Sequence, residues 1–172
     1  MTADAHGRTG PNAGATPGPG GMGGHNARRP LTGRTILVVG ADDETARRTA
    51  LHLAARGAAL IFAGRDHGKV LVAAGYAASS GGMTRVIEEA SPPLLGAALL
   101  ERATAALRRP TDVVVAEAVF AAPADATVAA DEFRALLGAT AHTIVVPTRP
   151  TGGSRAFAES VSAQFERGVV RS

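Results

Sequence analysis

The residues most able to do chemistry lie in one short turn that follows a run of apolar residues. The turn begins at Gly40 and continues through Asp42, Asp43, Glu44 and Thr45. A glycine turn that leads into a helix presents backbone N–H groups, which bind phosphate at the helix N-terminus. Carboxylates in the first turn of a helix accept the same N–H groups and complement the helix dipole. The sequence therefore predicts a turn with the form of a phosphate-binding site. Its backbone N–H groups are expected to donate to the carboxylates of the turn itself.

Two apolar runs, at residues 36–39 and 60–63, predict the strands that hold this turn in place. Between the runs, apolar residues recur at helical spacing, and Gly57 is suited to end that helix. Both runs are apolar throughout, which is typical of parallel strands that helices cover on both faces.

The same alternation continues along the chain and predicts an α/β fold. Further strands are expected at residues 86–87, 112–115 and 143–146, and further helices around residues 70–78, 95–107 and 155–165. Pro92-Pro93 is expected to open the second of these helices and Pro110 to end it. The predicted architecture is a doubly wound parallel sheet of about five strands with right-handed crossovers.

Two interpretations stay open for the chain after Asp131. A helix is expected to begin there, because acidic residues lie in its first turn. In one interpretation this helix continues through His142. In the other it is shorter, and residues 143–146 form a fifth strand, which the β-branched side chains and Pro147 favour.

Composition and charge divide the chain and exclude several functions. Residues 1–30 contain eight Gly and four Pro, so a disordered tail is expected ahead of one domain over residues 31–172. The pI is about 10.5, but residues 31–172 hold 15 basic and 14 acidic side chains, a balance that argues against nucleic-acid binding. No apolar stretch is long enough to predict a membrane span. The absence of Cys favours the cytoplasm.

Residues 34–66 resemble the first part of a short-chain dehydrogenase/reductase. That family shows Thr-Gly-x-x-x-Gly-x-Gly at the turn, an Ala-rich helix that ends in Arg-Gly-Ala, and a charged pair after the second strand. Here Gly40 keeps the first motif glycine, while Glu44 and Ala46 replace the second and third. The helix ends in Arg56-Gly57-Ala58, as in the family.

The resemblance implies a Rossmann-like fold, incomplete relative to the family, with a dinucleotide site at the turn. Arg65 follows the second strand, where an Arg accommodates the 2′-phosphate of NADP, so NADP is the implied cofactor. The alternative is a surface Arg65 paired with Asp66. Glu44 is expected to repel the pyrophosphate, and a neighbouring guanidinium to offset part of that charge. The residues predicted to contact the cofactor are Gly40, Asp43, Thr45, Arg47, Arg65 and Asp66.

The acid–base residues of the family have no recognisable equivalents in this sequence. Those enzymes reduce a carbonyl with a Tyr and with a Lys one helical turn later that lowers the pKa of that Tyr. Residues 156–163 are similar to that helix, but Phe157 replaces the Tyr and Val161 replaces the Lys. The only Tyr, Tyr76, and the only Lys, Lys69, lie elsewhere. No catalytic residue is assigned, and the histidines lack metal-ligand spacing.

These observations support several functional hypotheses. The first is a dehydrogenase-like protein, nominally an NADP-type oxidoreductase, with impaired or lost hydride transfer. The second is a non-catalytic binding subunit that pairs with itself or with a relative of the family. A third is a cofactor-independent dehydratase, isomerase or cyclase that binds a small molecule in the old substrate cleft, with Glu117, Arg149 or Glu159 as its acid–base groups. A truncated gene product is the remaining alternative.

Overall fold

A computed structural model describes residues 29–88 and 96–169, which fold around one parallel sheet. Its strands are β1 (Thr35–Val39), β2 (Ala59–Gly64), β3 (Thr84–Glu88), β4 (Asp112–Ala116) and β5 (Thr143–Val146). They lie in the order β3-β2-β1-β4-β5, and every neighbouring pair is parallel. This order is that of a doubly wound Rossmann-like sheet, so the predicted fold class is confirmed.

Helices cover both faces of the sheet. They are α1 (Glu44–Ala55), α2 (His67–Ser79), α3 (Gly96–Ala106), α4 (Pro123–Leu137) and α5 (Gly153–Val169), with a short 3₁₀ turn at Glu117–Val119. The first two helices and α5 pack on one face, and α3 and α4 pack on the other. No helix in the described part of the chain is both long enough and apolar enough to cross a membrane.

The core has two halves that share the central strands. Ile36 and Val38 of β1 face α1 and α2, whereas Leu37 and Val39 face α3 and α4. All five β1 residues are buried, as are all residues of β2 and β4. This burial on both faces is the physical reason that the central strands consist of continuous apolar runs.

The structure settles the chain path after β4 and corrects one boundary. Residues 143–146 form β5, so the interpretation with a helix through His142 is wrong. The helix expected from Asp131 instead begins at Pro123, because proline is favoured in the first helical turn, where its missing N–H costs nothing. The expected tail lies outside the described residues apart from positions 29 and 30, and Pro92-Pro93 lie outside them too.

The last helix, α5, returns across the sheet to pack against α1. Its Val161 and Phe165 are buried in the same half of the core as Val146 of β5. A right-handed connection to a further strand beyond β5 would place its helix on the α3–α4 face, as α4 is placed. The helix with sequence similarity to the catalytic helix of the family therefore lies on the α1 face of the sheet.

A buried carboxylate ties the amino ends of three strands together. Asp112, fully buried at the start of β4, accepts hydrogen bonds from Arg34 Nε at 2.8 Å and from a second guanidinium nitrogen of Arg34. The hydroxyl of Thr111 donates to it at 2.6 Å, and the backbone N–H of His142 donates at 3.0 Å. These contacts fix the sheet at the end opposite the Gly40 turn.

Candidate functional site

The backbone donors at the carboxyl end of β1 are largely engaged within the protein. The N–H groups of Gly40 and Ala41 both donate to the carbonyl oxygen of Ala63, at 2.8 and 2.9 Å. Asp43 caps α1, since its Oδ1 accepts the N–H of Ala46 at 2.9 Å. The predicted capping by a carboxylate is thus confirmed for Asp43, and that N–H is not free to bind a phosphate.

A small cavity of about 220 Å³ lies beside this turn. Three of the predicted cofactor residues, Gly40, Asp43 and Arg65, line the cavity together. The remaining lining residues are Asp42, Ala118 and Val119. Two carboxylates and one guanidinium therefore meet at the mouth of the turn.

Val119 closes the space directly in front of Gly40. A Cβ placed on Gly40 would overlap Val119 Cγ2 and would lie 2.8 Å from Ala116 Cβ. Arg65 fixes this segment, because its Nη2 donates to the carbonyl oxygen of Val119 at 2.5 Å. The space in front of Gly40 is thus filled by the 3₁₀ turn that follows β4.

Asp42 packs closely against the end of β2. A Cβ on Gly64 would lie 2.6 Å from Asp42 Oδ1 and 2.7 Å from Val70 Cγ2. Only a glycine leaves room for this approach of the carboxylate to the strand. Gly64 therefore has a packing role at the turn in addition to preceding Arg65.

Glu44 does not line the cavity, so its carboxylate does not fill the space beside Gly40. Its side chain is 60% exposed, and Oε1 pairs with Arg48 Nη2 at 2.8 Å. Residues four apart on a helix share one face, so this pair forms within α1, and neither partner lines the cavity. The carboxylates that line the cavity are those of Asp42 and Asp43.

The other predicted cofactor residues lie apart from the cavity. Thr45 is buried, and its hydroxyl shares a hydrogen bond of 3.0 Å with that of Ser154 on α5. Arg47 lines a different groove, on the outer side of α1. Asp66 caps α2: it accepts the N–H of Lys69 at 3.1 Å and pairs with Lys69 Nζ at 3.2 Å.

The contacts of Asp66 decide whether Arg65 is its ion-pair partner, the alternative that the sequence left open. Hydrogen bonding from the backbone N–H of Lys69, reinforced by its ammonium group, lowers the pKa of the Asp66 carboxyl. Arg65 turns instead to Val119, so the interpretation of Arg65 as the surface partner of Asp66 is wrong. Among the residues that the structure describes, Arg65 is the one strongly basic side chain lining the cavity.

The chain was compared with known proteins and with solved structures. No family model and no curated protein sequence matches the chain. A short-chain type dehydrogenase/reductase from Mycobacterium marinum is 24% identical with a TM-score of 0.44, covering 50% of this chain and 35% of that one. A short chain dehydrogenase from Salmonella enterica serovar Typhi is 26% identical with a TM-score of 0.44, covering 51% of this chain and 38% of that one.

The chain is similar to short-chain dehydrogenases. A third structure, the short chain dehydrogenase from Shigella flexneri, is 25% identical with a TM-score of 0.45. The match covers 51% of this chain and 36% of that one. In each case the chain spans well under half of the solved dehydrogenase.

The two positions of α5 that resemble the dehydrogenase Tyr and Lys in sequence pack against the core. Val161 is 1% exposed, and Phe157 is half-buried against the same apolar cluster. Tyr76 is 62% exposed on α2, and Lys69 is paired with Asp66 on that helix. The structure therefore does not bring the single Tyr and the single Lys of the chain to the Gly40 turn.

The three residues considered as acid–base groups are not assembled into a site at the cavity. Glu117 Oε2 accepts the N–H of Thr148 at 2.9 Å and so holds the loop after β5. Glu159 accepts from Arg155 at 3.0 Å on α5. Neither these carboxylates nor Arg149 lines the cavity, and the described residues hold no cluster of three or more His, Asp or Glu suited to a metal ion.

Proposed function

We propose that this protein is a Rossmann domain of the short-chain dehydrogenase type that performs no hydride transfer and acts as a binding or partner subunit. The observation that carries the proposal is the Asp43 carboxylate, which holds the N–H of Ala46 at the N-terminus of α1. In a dinucleotide-binding turn, the first glycine makes the tight turn, and the pyrophosphate lies at the second glycine position and at the following helix N-terminus. In this chain Glu44 replaces the second glycine, Asp43 takes the N–H of Ala46 at the helix N-terminus, and Val119 packs against the tight turn at Gly40.

The size and charge of the cavity support the same proposal. Its volume of about 220 Å³ is below the roughly 300–1,000 Å³ of ordinary ligand pockets. A phosphate about 4 Å from Asp42 or Asp43 would be opposed by roughly 4 kcal/mol at an effective dielectric constant of about 20. That energy corresponds to nearly a thousandfold in affinity, at about 1.4 kcal/mol per tenfold. Arg65 offsets only part of it, because it is exposed to solvent.

The packing of α5 on the α1 face, with Phe157 and Val161 directed into the core, also supports a loss of chemistry. A Phe has no hydroxyl with which to polarise a carbonyl, and a Val has no ammonium to lower the pKa of a neighbouring acid. The side chains of Phe157 and Val161 instead pack α5 against the core. The apolar side chains of Val128 and Leu136, exposed on α4, offer a surface for pairing with a second copy or with a relative.

Isothermal titration calorimetry with NADPH tests the proposal. We expect the wild-type chain to give no saturable heat up to about 1 mM NADPH. Val119→Ala removes the side chain in front of Gly40 and is expected to produce measurable binding. Met83→Ala is the matched control, because it shortens an exposed apolar side chain at the opposite end of the sheet. Micromolar binding by the wild-type chain would refute the proposal.

NADP binding is the second candidate, and the position of Arg65 favours it. This guanidinium lies at the end of β2 and lines the same cavity as Gly40. If Arg65 exchanges the carbonyl oxygen of Val119 for a 2′-phosphate, NADPH must bind more tightly than NADH. The same titration with NADH, and with Arg65→Gln, measures this preference directly.

A further inference from the structure

A second concave surface lies on the outer side of α1, away from the Gly40 turn. This α1–α2 groove is lined by residues of α1, α2 and α5, among them Arg47, Leu51, His52, Val72, Tyr76 and Arg155. Its volume of about 530 Å³ lies within the range of pockets that hold small ligands. The groove shares no lining residue with the cavity at Gly40 in the described part of the chain.

The apolar part of the groove is exposed to solvent. Val72 and Tyr76 are one helical turn apart on α2, and they are 55% and 62% exposed. Leu51 contributes from α1 and packs at the margin of the core. A concave surface lined by large apolar side chains suits the apolar part of a small ligand.

The charge at the rim of the groove is positive and partly uncompensated. Arg155 pairs with Glu159, and Arg48 pairs with Glu44. The guanidinium of Arg47, in contrast, makes no ion pair or hydrogen bond within residues 29–88 and 96–169. One unpaired guanidinium therefore stands beside the apolar wall, and its charge complements an anion.

We infer that the α1–α2 groove binds a small amphiphilic carboxylate. The carboxylate would pair with Arg47, and the alkyl or aromatic body would lie against Leu51, Val72 and Tyr76. A protein partner fits less well, because a stable interface takes about 800 Å² and roughly 20–30 residues from each side. Among the described residues, the groove offers only these three large apolar side chains. The inference is independent of whether the Gly40 turn binds a dinucleotide.

The chain supplies its own reporter for this groove. Tyr76 is the only Tyr, and there is no Trp. The intrinsic tyrosine fluorescence of the full chain therefore comes from one side chain, which lines the groove. Titration with decanoate while that fluorescence is followed measures binding at this site, and decanol is the uncharged probe of the same length.

The expected result is a saturable fluorescence change with decanoate and a much weaker one with decanol. Arg47→Gln should weaken decanoate binding by about tenfold or more, since it removes a charge-assisted hydrogen bond. Arg102→Gln is the matched control, because Arg102 is exposed on α3 on the other face of the sheet. Circular dichroism establishes that both variants are folded.

Three results would overturn the inference. The first is no saturable change with decanoate in a folded wild-type chain. The second is equal affinity for decanoate and decanol, or equal weakening by Arg47→Gln and Arg102→Gln. The third is a dimer, detected by sedimentation velocity, that Tyr76→Ala dissociates, because the groove would then be covered by a second copy of the chain.

Discussion

Val119 lies against Gly40 although the two residues are 79 positions apart in the sequence. They follow β1 and β4, which are hydrogen-bonded neighbours in the sheet. The segment that follows β4 therefore packs against the turn that follows β1. Gly40 has a φ of +75°, so both its backbone conformation and its surroundings require the absence of a side chain.

Gly40→Ala should destabilise the fold more than an equivalent change at another left-handed glycine. The new Cβ would overlap Val119 Cγ2, adding overpacking of about 1–3 kcal/mol to the conformational cost of roughly 1–2 kcal/mol. Gly33→Ala isolates the conformational cost, because Gly33 has a φ of +95° and a Cβ added there would meet nothing within 4 Å. Urea unfolding measures both variants, and equal losses would contradict the close packing of Val119.

Asp112→Asn should destabilise the protein by about 3–5 kcal/mol. The substitution removes the charge that compensates Arg34 and leaves one fewer acceptor oxygen for the donors around Asp112, which is fully buried. Glu44→Gln, on the exposed pair with Arg48, should cost no more than about 1 kcal/mol. Urea unfolding again provides the comparison, and a loss at Asp112 as small as that at Glu44 would argue against the network at the amino ends of the strands.

The stability that Asp66 contributes should disappear in acid. The pKa of its carboxyl is lowered in the folded state from the ordinary value of 3.8. A lowered carboxyl pKa stabilises the fold above the unfolded pKa, and the contribution is lost as the pH falls through the folded pKa. The difference in urea midpoint between wild type and Asp66→Asn should therefore shrink below about pH 4. A difference that stays constant into strong acid would show that the charge of Asp66 is not the cause.

Restoring the dehydrogenase residues on α5 should not restore a reductase. Val161→Lys places an amine in a position that is 1% exposed, and an uncompensated buried charge costs about 3–5 kcal/mol. Phe157→Tyr, at a half-buried position, should be tolerated better. NADPH oxidation with a panel of ketones, together with thermal unfolding, tests the double variant. A stable double variant with ketone-dependent NADPH oxidation would show that α5 can reach a substrate.

Most of the fold is predictable because its decisive signals are local. The strands β1, β2 and β4 are buried on both faces, so each consists of continuous apolar residues. The β-branched residues before Pro147 identify β5 in the same way. The start of α4 is harder to locate because acidic residues after Asp131 resemble a first turn, whereas Pro123 begins the helix eight residues earlier.

The site is harder to predict because its closure depends on contacts distant in the sequence. The Asp43 cap follows from neighbouring residues and is predictable from them. The ion pair between Glu44 and Arg48 is also predictable, because residues four positions apart on a helix are neighbours. The resemblance to the glycine motif instead favours a role for Glu44 beside the phosphate. Val119 gives no local signal, because only the adjacency of β1 and β4 brings it to Gly40.

The return of α5 over the sheet has a practical consequence for handling the protein. Near the start of the described residues, the N–H of Leu31 donates to the carbonyl oxygen of Arg56 at the end of α1. Near their end, Gly168 of α5 packs against His142. Both of these places are at the edge of the molecule where the strands start. A fluorophore attached to an exposed side chain close to either point would therefore lie at that edge and leave the opposite rim, with the Gly40 turn, accessible for measurement.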